Sequence, residues 1–235
     1  MDISLIIVWI AIVSLFAVFG AYYAKYYGRP DALIAFYVTA IIFSNLTAQK
    51  SAVFNLGFME FFAPVNVLIF SITFLLTDIV NEKFGRAETQ RMIGIAVFAQ
   101  VAIVLFTFLI IKSESSPFFQ NQLAFETVLG NIPRIVFASL TAFFISENAD
   151  AYIFQWFRRL TRGRHLWMRN IFSSLPSMLL DSVLFMIIAF YGVMPIGELI
   201  LGLTVVKWLV GIVDIPFMYL ARAVLGRTES IPNSV

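Results

Sequence analysis

The chain contains no cysteine, which excludes disulfides, thiolate metal sites and cysteine nucleophiles. It contains one histidine, His165, so a clustered imidazole site for a metal is excluded as well. Charge is scarce: Asp, Glu, Lys and Arg make up 13% of the 235 residues, against roughly 25% in a soluble domain. Such a chain cannot cover a water-facing surface. No G-x-x-x-x-G-K-[ST] loop is present, so the chain does not hydrolyse ATP alone. An intramembrane serine protease would need a serine–histidine pair, and His165 lies in a basic loop outside the apolar runs. The net charge of +2 is too small to imply nucleic acid. An enzyme, a cofactor and a metal are therefore not expected.

What is present is apolar. Hydrophobic residues make up 60% of the chain, and the mean hydropathy is +0.90. The composition describes a polytopic α-helical membrane protein, read as one transmembrane domain over residues 1–235. A span needs about 20 apolar residues to cross the hydrocarbon. Seven runs qualify, near 3–24, 32–50, 64–83, 91–111, 133–157, 170–191 and 199–222. Strands are not expected, because the runs are long and continuous without alternation. The connectors carry the breakers, among them Gly28-Arg29-Pro30, Gly57 to Pro64, Ser115-Ser116-Pro117 and Gly192 to Gly197.

The apolar run Ile3–Tyr23 follows Asp2 and precedes the first basic residues, Lys25 and Arg29. A signal peptide wants the basic residues first, so a retained helix starting outside is expected. Lys and Arg then alternate between loops. Twelve of the 16 fall on one side: Lys25 and Arg29, Lys83, Arg86 and Arg91, Arg158, Arg159, Arg162, Arg164 and Arg169, and Arg222 and Arg227. Lys50, Lys112 and Arg134 fall on the other, and Lys207 lies within a span. The bias predicts an external amino terminus and a cytoplasmic carboxyl terminus in a cell (inner or plasma) membrane. The Arg158–Arg169 cluster suits this topology and contact with anionic lipid head groups.

Polar groups within the spans are costly and call for a reason. Five carboxylates fall there, Asp78, Glu147, Asp150, Asp181 and Asp214, against one lysine, Lys207. Asn45, Gln49, Asn66, Asn81, Gln100 and Asn148 add amides. Asp78, Asn81 and Glu82 share one helix face by spacing, as do Glu147 and Asp150. Lys207 and Asp214 stand about 10 Å apart along one stripe, too far to pair directly. Lys207 is expected to meet a carboxylate on another helix, with Asp181 and Glu147 at similar depth. Interhelical polar clamps account for part of this set. Five carboxylates exceed what clamping needs, and a cavity for a donor-rich ligand accounts for the surplus. The 26 phenylalanines could hold a flat heterocycle between rings. The small residues Ala17, Gly20, Ala21 and Ala24 mark a helix-packing or partner face.

The run Pro64-Val65-Asn66 through Thr77-Asp78-Ile79-Val80-Asn81-Glu82-Lys83-Phe84-Gly85-Arg86 resembles the signature of the queuosine precursor transporter family. Further matches follow in order: Pro133-Arg134-Ile135, Ala138-Ser139-Leu140, Asp150 to Phe154, Arg169-Asn170, Ser173-Ser174, Asp181-Ser182, Phe185, Lys207, Asp214, Pro216 and Tyr219. They cover about residues 32–222, and the first helix stands as an addition to a six-helix core. Glu147 and Met178 stand where the family often carries amides.

The resemblance implies a fold similar to the substrate-binding subunits of energy-coupling-factor transporters. It also implies uptake of a 7-deazaguanine, such as 7-cyano- or 7-aminomethyl-7-deazaguanine. Asn66, Asp78, Asn81, Glu82, Asp150, Asp181, Lys207 and Asp214 match the family's polar positions. Glu147 and Asn148 join the candidate substrate-binding set from their place in the fifth span. Asp181 is the first choice for a substrate carboxylate, and Lys207 is assigned to charge balance. Expected partners are a nucleobase-like small molecule and membrane lipids, with a homo-oligomer or an energy-coupling partner open. Two alternatives stand beside this reading: a binding subunit of an energy-coupling-factor vitamin importer, and a non-transporting membrane scaffold.

Overall fold

The computed structural model describes residues 3–55, 59–160 and 166–225. The basic loop that holds Arg162, Arg164 and His165 lies outside the described residues, as does Arg227. Eight helices are described: α1 (Ile3–Tyr27), α2 (Asp31–Thr47), α3 (Val67–Phe84), α4 (Arg86–Lys112), α5 (Gln122–Gly130), α6 (Ile132–Leu160), α7 (Leu166–Phe190) and α8 (Ile196–Leu225). Among the described residues, three stretches are long and apolar enough to cross a membrane: Leu5–Tyr27, Arg86–Lys112 and Gln122–Asp150. Asp31–Thr47 and Leu175–Phe190 are shorter apolar helices. The architecture is that of an α-helical membrane protein.

Two features differ from the expectation. Residues 51–64 contain an antiparallel hairpin, β1 (Ser51–Asn55) and β2 (Glu60–Pro64), with Val53 opposite Phe62. Each strand has five residues and alternates outward and inward positions, a local pattern that a search for 20-residue apolar runs passes over. The ladder continues as Val65 N–H donates to the Lys50 carbonyl at 2.8 Å, and Asn55 Nδ2 donates to Glu60 Oε1 at 3.0 Å. The second difference is α5, a nine-residue helix with no buried residues that precedes the fifth expected span.

The contacts group the chain into two compact units. The first comprises residues 3–44, 66–103 and 209–225. Its core joins Val13, Ala17, Ala21 and Ala24 of α1 to Leu33, Ile34 and Ile41 of α2 and Leu75, Leu76, Ile79 and Val80 of α3. The small residues of α1 are thus a packing face within this unit. A Cβ on Gly20 would come 2.4 Å from Leu33 Cδ2, so the glycine lets α2 approach closely. Trp9 Nε1 donates to the Leu68 carbonyl at 2.7 Å and fastens α1 to α3.

The second unit comprises residues 45–55, 59–65, 104–160 and 166–208. Helices α6 and α7 pack along each other, and the hairpin lies against α8. A Cβ on Gly202 would come 2.0 Å from the Phe62 carbonyl oxygen, so only glycine admits the β2 backbone there. Gln49 Nε2 donates to the Val128 carbonyl, and Asn131 Nδ2 donates to Gln49 Oε1 at 2.9 Å. Large side chains such as Phe106, Phe108, Leu109 and Phe144 are exposed. Such an apolar exterior suits lipid.

Candidate functional site

In the second unit α6, α7 and α8 meet through a cluster of carboxyl, amino and hydroxyl side chains. Ser146 Oγ of α6 has two acceptors for its one proton, the Phe143 carbonyl of its own helix at 3.2 Å and Asp181 Oδ1 of α7 at 3.4 Å. Ser177 Oγ of α7 donates to Asp150 Oδ1 of α6 at 2.8 Å. Lys207 of α8 is ion-paired and hydrogen-bonded to Asp181. The Lys207 and Asp181 side chains are 7% and 16% exposed, so the pair is shielded from water and worth more than a surface pair. Lys207 thus finds its carboxylate on another helix, and Asp181 is the one chosen. Asp181, the first choice for a substrate carboxylate, is already engaged by an ammonium.

Asp150 differs. Its hydrogen-bond donor is Ser177, and among the described residues no lysine, arginine or histidine pairs with it. It is half-buried, so a ligand can reach it. The sequence reading placed Asp150, Asp181 and Lys207 in the candidate set but overlooked Ser146 and Ser177. The pattern that marks them is a Ser-x-x-x-Asp spacing that occurs on both helices.

Glu147 and Asn148 are exposed on α6. Asn148 Nδ2 donates to the Phe144 carbonyl of its own helix at 2.6 Å. Arg134, one of the family-matched positions, closes the end of α7: Nε donates to the Ile188 carbonyl at 2.7 Å and Nη2 to the Tyr191 carbonyl at 2.9 Å. Those carbonyls belong to the last turn and the exit of α7, where the helix's own donors run out. Trp208, beside Lys207, has a buried indole N–H without a partner among the described residues.

The remaining candidates belong to the first unit. Asn66 stands at the amino terminus of α3, where its side chain makes no capping hydrogen bond. It is buried, donates through Nδ2 to Ser44 Oγ at 3.2 Å, and leaves Oδ1 without a partner among the described residues. Asp78 and Asn81 are exposed and Glu82 is half-buried, on the face opposite the core residues Leu75, Leu76, Ile79 and Val80. The spacing of Asp78, Asn81 and Glu82 is realised as one helical face. Gly85 ends this helix at φ +83, with its N–H donating to the Asn81 carbonyl at 3.0 Å, a conformation that favours glycine. The glycine of the Asp78–Gly85 signature is therefore a helix stop. The side chain of Asp214 lies outside the described side chains.

Among the described residues no group of His, Asp and Glu has a metal-binding arrangement. The chemistry on offer is acceptance of hydrogen bonds by carboxylates and hydroxyls in an apolar surround. No solved structure matches the chain. A relative from Bacillus subtilis (strain 168), described as "Probable queuosine precursor transporter", is 28% identical over 193 residues, covering 80% of this chain and 83% of that protein. Residues 64–221 match the family described as "Putative vitamin uptake transporter". That match takes in α3, α4, α5, α6, α7 and most of α8 and includes every candidate residue. The chain belongs to this family and is a membrane transporter.

Proposed function

We propose that the protein imports a 7-deazaguanine precursor of queuosine or archaeosine across the cell membrane. It works as one seven-span transport domain with an external amino terminus and a cytoplasmic carboxyl terminus. The observation that carries this reading is the Ser146–Asp181 and Ser177–Asp150 cluster on α6 and α7. A guanine-like edge presents N–H donors, and carboxylates accept them without competing donors of their own. Charge-assisted bonds of this kind are about twice as strong as neutral ones. The relative named for queuosine precursor transport supports the same substrate class. Asp150 is the carboxylate of this cluster left open to donors on the substrate, and Lys207 pairs with Asp181. Asn66, Asp78, Asn81, Glu82 and Asp214 supply further polar contacts during transport, and Glu147 and Asn148 lie toward the edge of the site.

The test is uptake of labelled deazapurines by cells unable to make them. Cells that express the protein accumulate the label, and accumulation no greater than in empty-vector cells sinks the reading. A second reading is a vitamin-binding subunit that depends on a separate ATP-driven module. The family description and the missing phosphate loop favour it. Transport by the purified chain in liposomes without ATP separates the two.

A further inference from the structure

Helices α6 and α7 carry the same short motif. It reads Ser146-Glu147-Asn148-Ala149-Asp150 on α6 and Ser177-Met178-Leu179-Leu180-Asp181 on α7. A separation of four places serine and aspartate on one face of each helix, a little more than a turn apart. Across the helix pair the partners are exchanged. Ser146 Oγ, which shares its proton with the Phe143 carbonyl, lies within hydrogen-bond distance of Asp181, and Ser177 donates to Asp150. Position rises along α6 as it falls along α7, so the helices run antiparallel and the two Ser–Asp pairs are related by an approximate two-fold axis.

The two halves are built alike but filled differently. The Asp181–Ser146 half holds a primary ammonium, that of Lys207. The Asp150–Ser177 half holds no cation among the described residues. A carboxylate within a membrane span is costly without a matching charge, and this one is half-buried and open to a ligand.

We propose that the Asp150–Ser177 half is a second primary-ammonium site and takes the aminomethyl group of the substrate. The protein is accordingly selective for a cationic 7-aminomethyl-7-deazaguanine over the neutral 7-cyano form. The choice of deazaguanine rests on the proposed function above, whereas the ammonium site does not. Lys207 shows within the same helix pair which ligand chemistry a Ser–Asp half accepts. A nitrile ends in an acceptor nitrogen, and a carboxylate offers acceptors alone. The cyano form therefore meets Asp150 lone pair to lone pair. An ammonium meets it with three donors and the opposite charge.

The experiment measures binding of both deazaguanines to the purified chain in detergent, for the wild type, Asp150→Asn and Ser177→Ala. The wild type is expected to bind the aminomethyl form more tightly. Asp150→Asn should weaken that binding by about 10- to 150-fold, the value of one charge-assisted hydrogen bond, and affect the cyano form far less. Ser177→Ala should weaken the aminomethyl form by a smaller factor. Equal affinity of the wild type for the two forms overturns the proposal, even if Asp150→Asn fails to fold. So does an equal loss for both forms in Asp150→Asn. Benzylammonium, which carries the aminomethyl group on an unrelated ring, provides the control, with benzonitrile as its neutral counterpart. If neither deazaguanine binds, the proposed function fails. The ammonium site then stands if benzylammonium raises the melting temperature of the wild type but not of Asp150→Asn, and falls if it does not.

Discussion

Lys207 of α8 and Asp181 of α7 form a shielded ion pair, 26 residues apart in sequence. The pair joins these two helices, and it gives Asp181 a structural duty before any substrate arrives.

Removing one partner of such a pair strands the other charge, which costs about 3–5 kcal/mol. Replacing both removes the stranded charge and recovers most of that loss. Lys207→Met and Asp181→Asn alone are thus expected to lower the melting temperature, and the double variant to lie above Lys207→Met. If the Lys207→Met/Asp181→Asn double is no more stable than Lys207→Met, charge balance is not the role of this pair.

The long helices were legible because an apolar run is a local property and the membrane sets its length. The partner of Lys207 was legible as a short choice, because depth along a span follows from position and carboxylates are few. Asp181 and Glu147 could be told apart only by which helix face α7 and α8 turn to each other. Ser146 and Ser177 escaped notice because a hydroxyl in a membrane helix usually bonds its own backbone, as Ser182 and Thr204 do and as Ser146 also does through the Phe143 carbonyl. The β1–β2 hairpin escaped because five-residue strands leave no trace in hydropathy over a span. Arg134 was read as a loop charge. Its role as a cap depends on where α7 ends, a matter of packing between α6 and α7.

Gly202 should be among the least replaceable residues. A methyl group there would lie 2.0 Å from the Phe62 carbonyl oxygen and 2.7 Å from its carbon, and backbone cannot step aside as a side chain can. Gly202→Ala is expected to cost about 1–3 kcal/mol or more through displacement of β2 from α8. Gly94→Ala provides the contrast, because nothing lies within 4 Å of its added carbon; it should be neutral or stabilise by up to about 1 kcal/mol. Similar melting temperatures for the two variants would contradict the close approach.

Arg134 bridges two carbonyls at the end of α7, Ile188 at 2.7 Å and Tyr191 at 2.9 Å. The guanidinium is exposed, so the loss in Arg134→Ala should be modest, about 1 kcal/mol. Lysine keeps the charge but lacks the planar fork that reaches both oxygens. Arg134→Lys should therefore resemble Arg134→Ala in thermal denaturation. Full recovery by lysine would mean that charge at this helix end matters and the two-point contact does not.

The orientation can be read with cysteine chemistry, because the chain has no cysteine of its own. The loop between α1 and α2 carries Arg29, and the loop after α4 carries Glu114; both residues are exposed. The Lys and Arg bias puts Arg29 on the cytoplasmic side and Glu114 outside. In intact cells, a membrane-impermeant maleimide should label a Glu114→Cys variant and leave Arg29→Cys unmodified until the membrane is opened. Helices α2, α3 and α4 lie between the two positions. If all three cross the membrane, the two sites must fall on opposite sides. Labelling of both from outside would mean that one of these helices does not cross, and the seven-span count would fall with it. Labelling of Arg29→Cys alone would keep the count and invert the orientation, placing the carboxyl terminus outside.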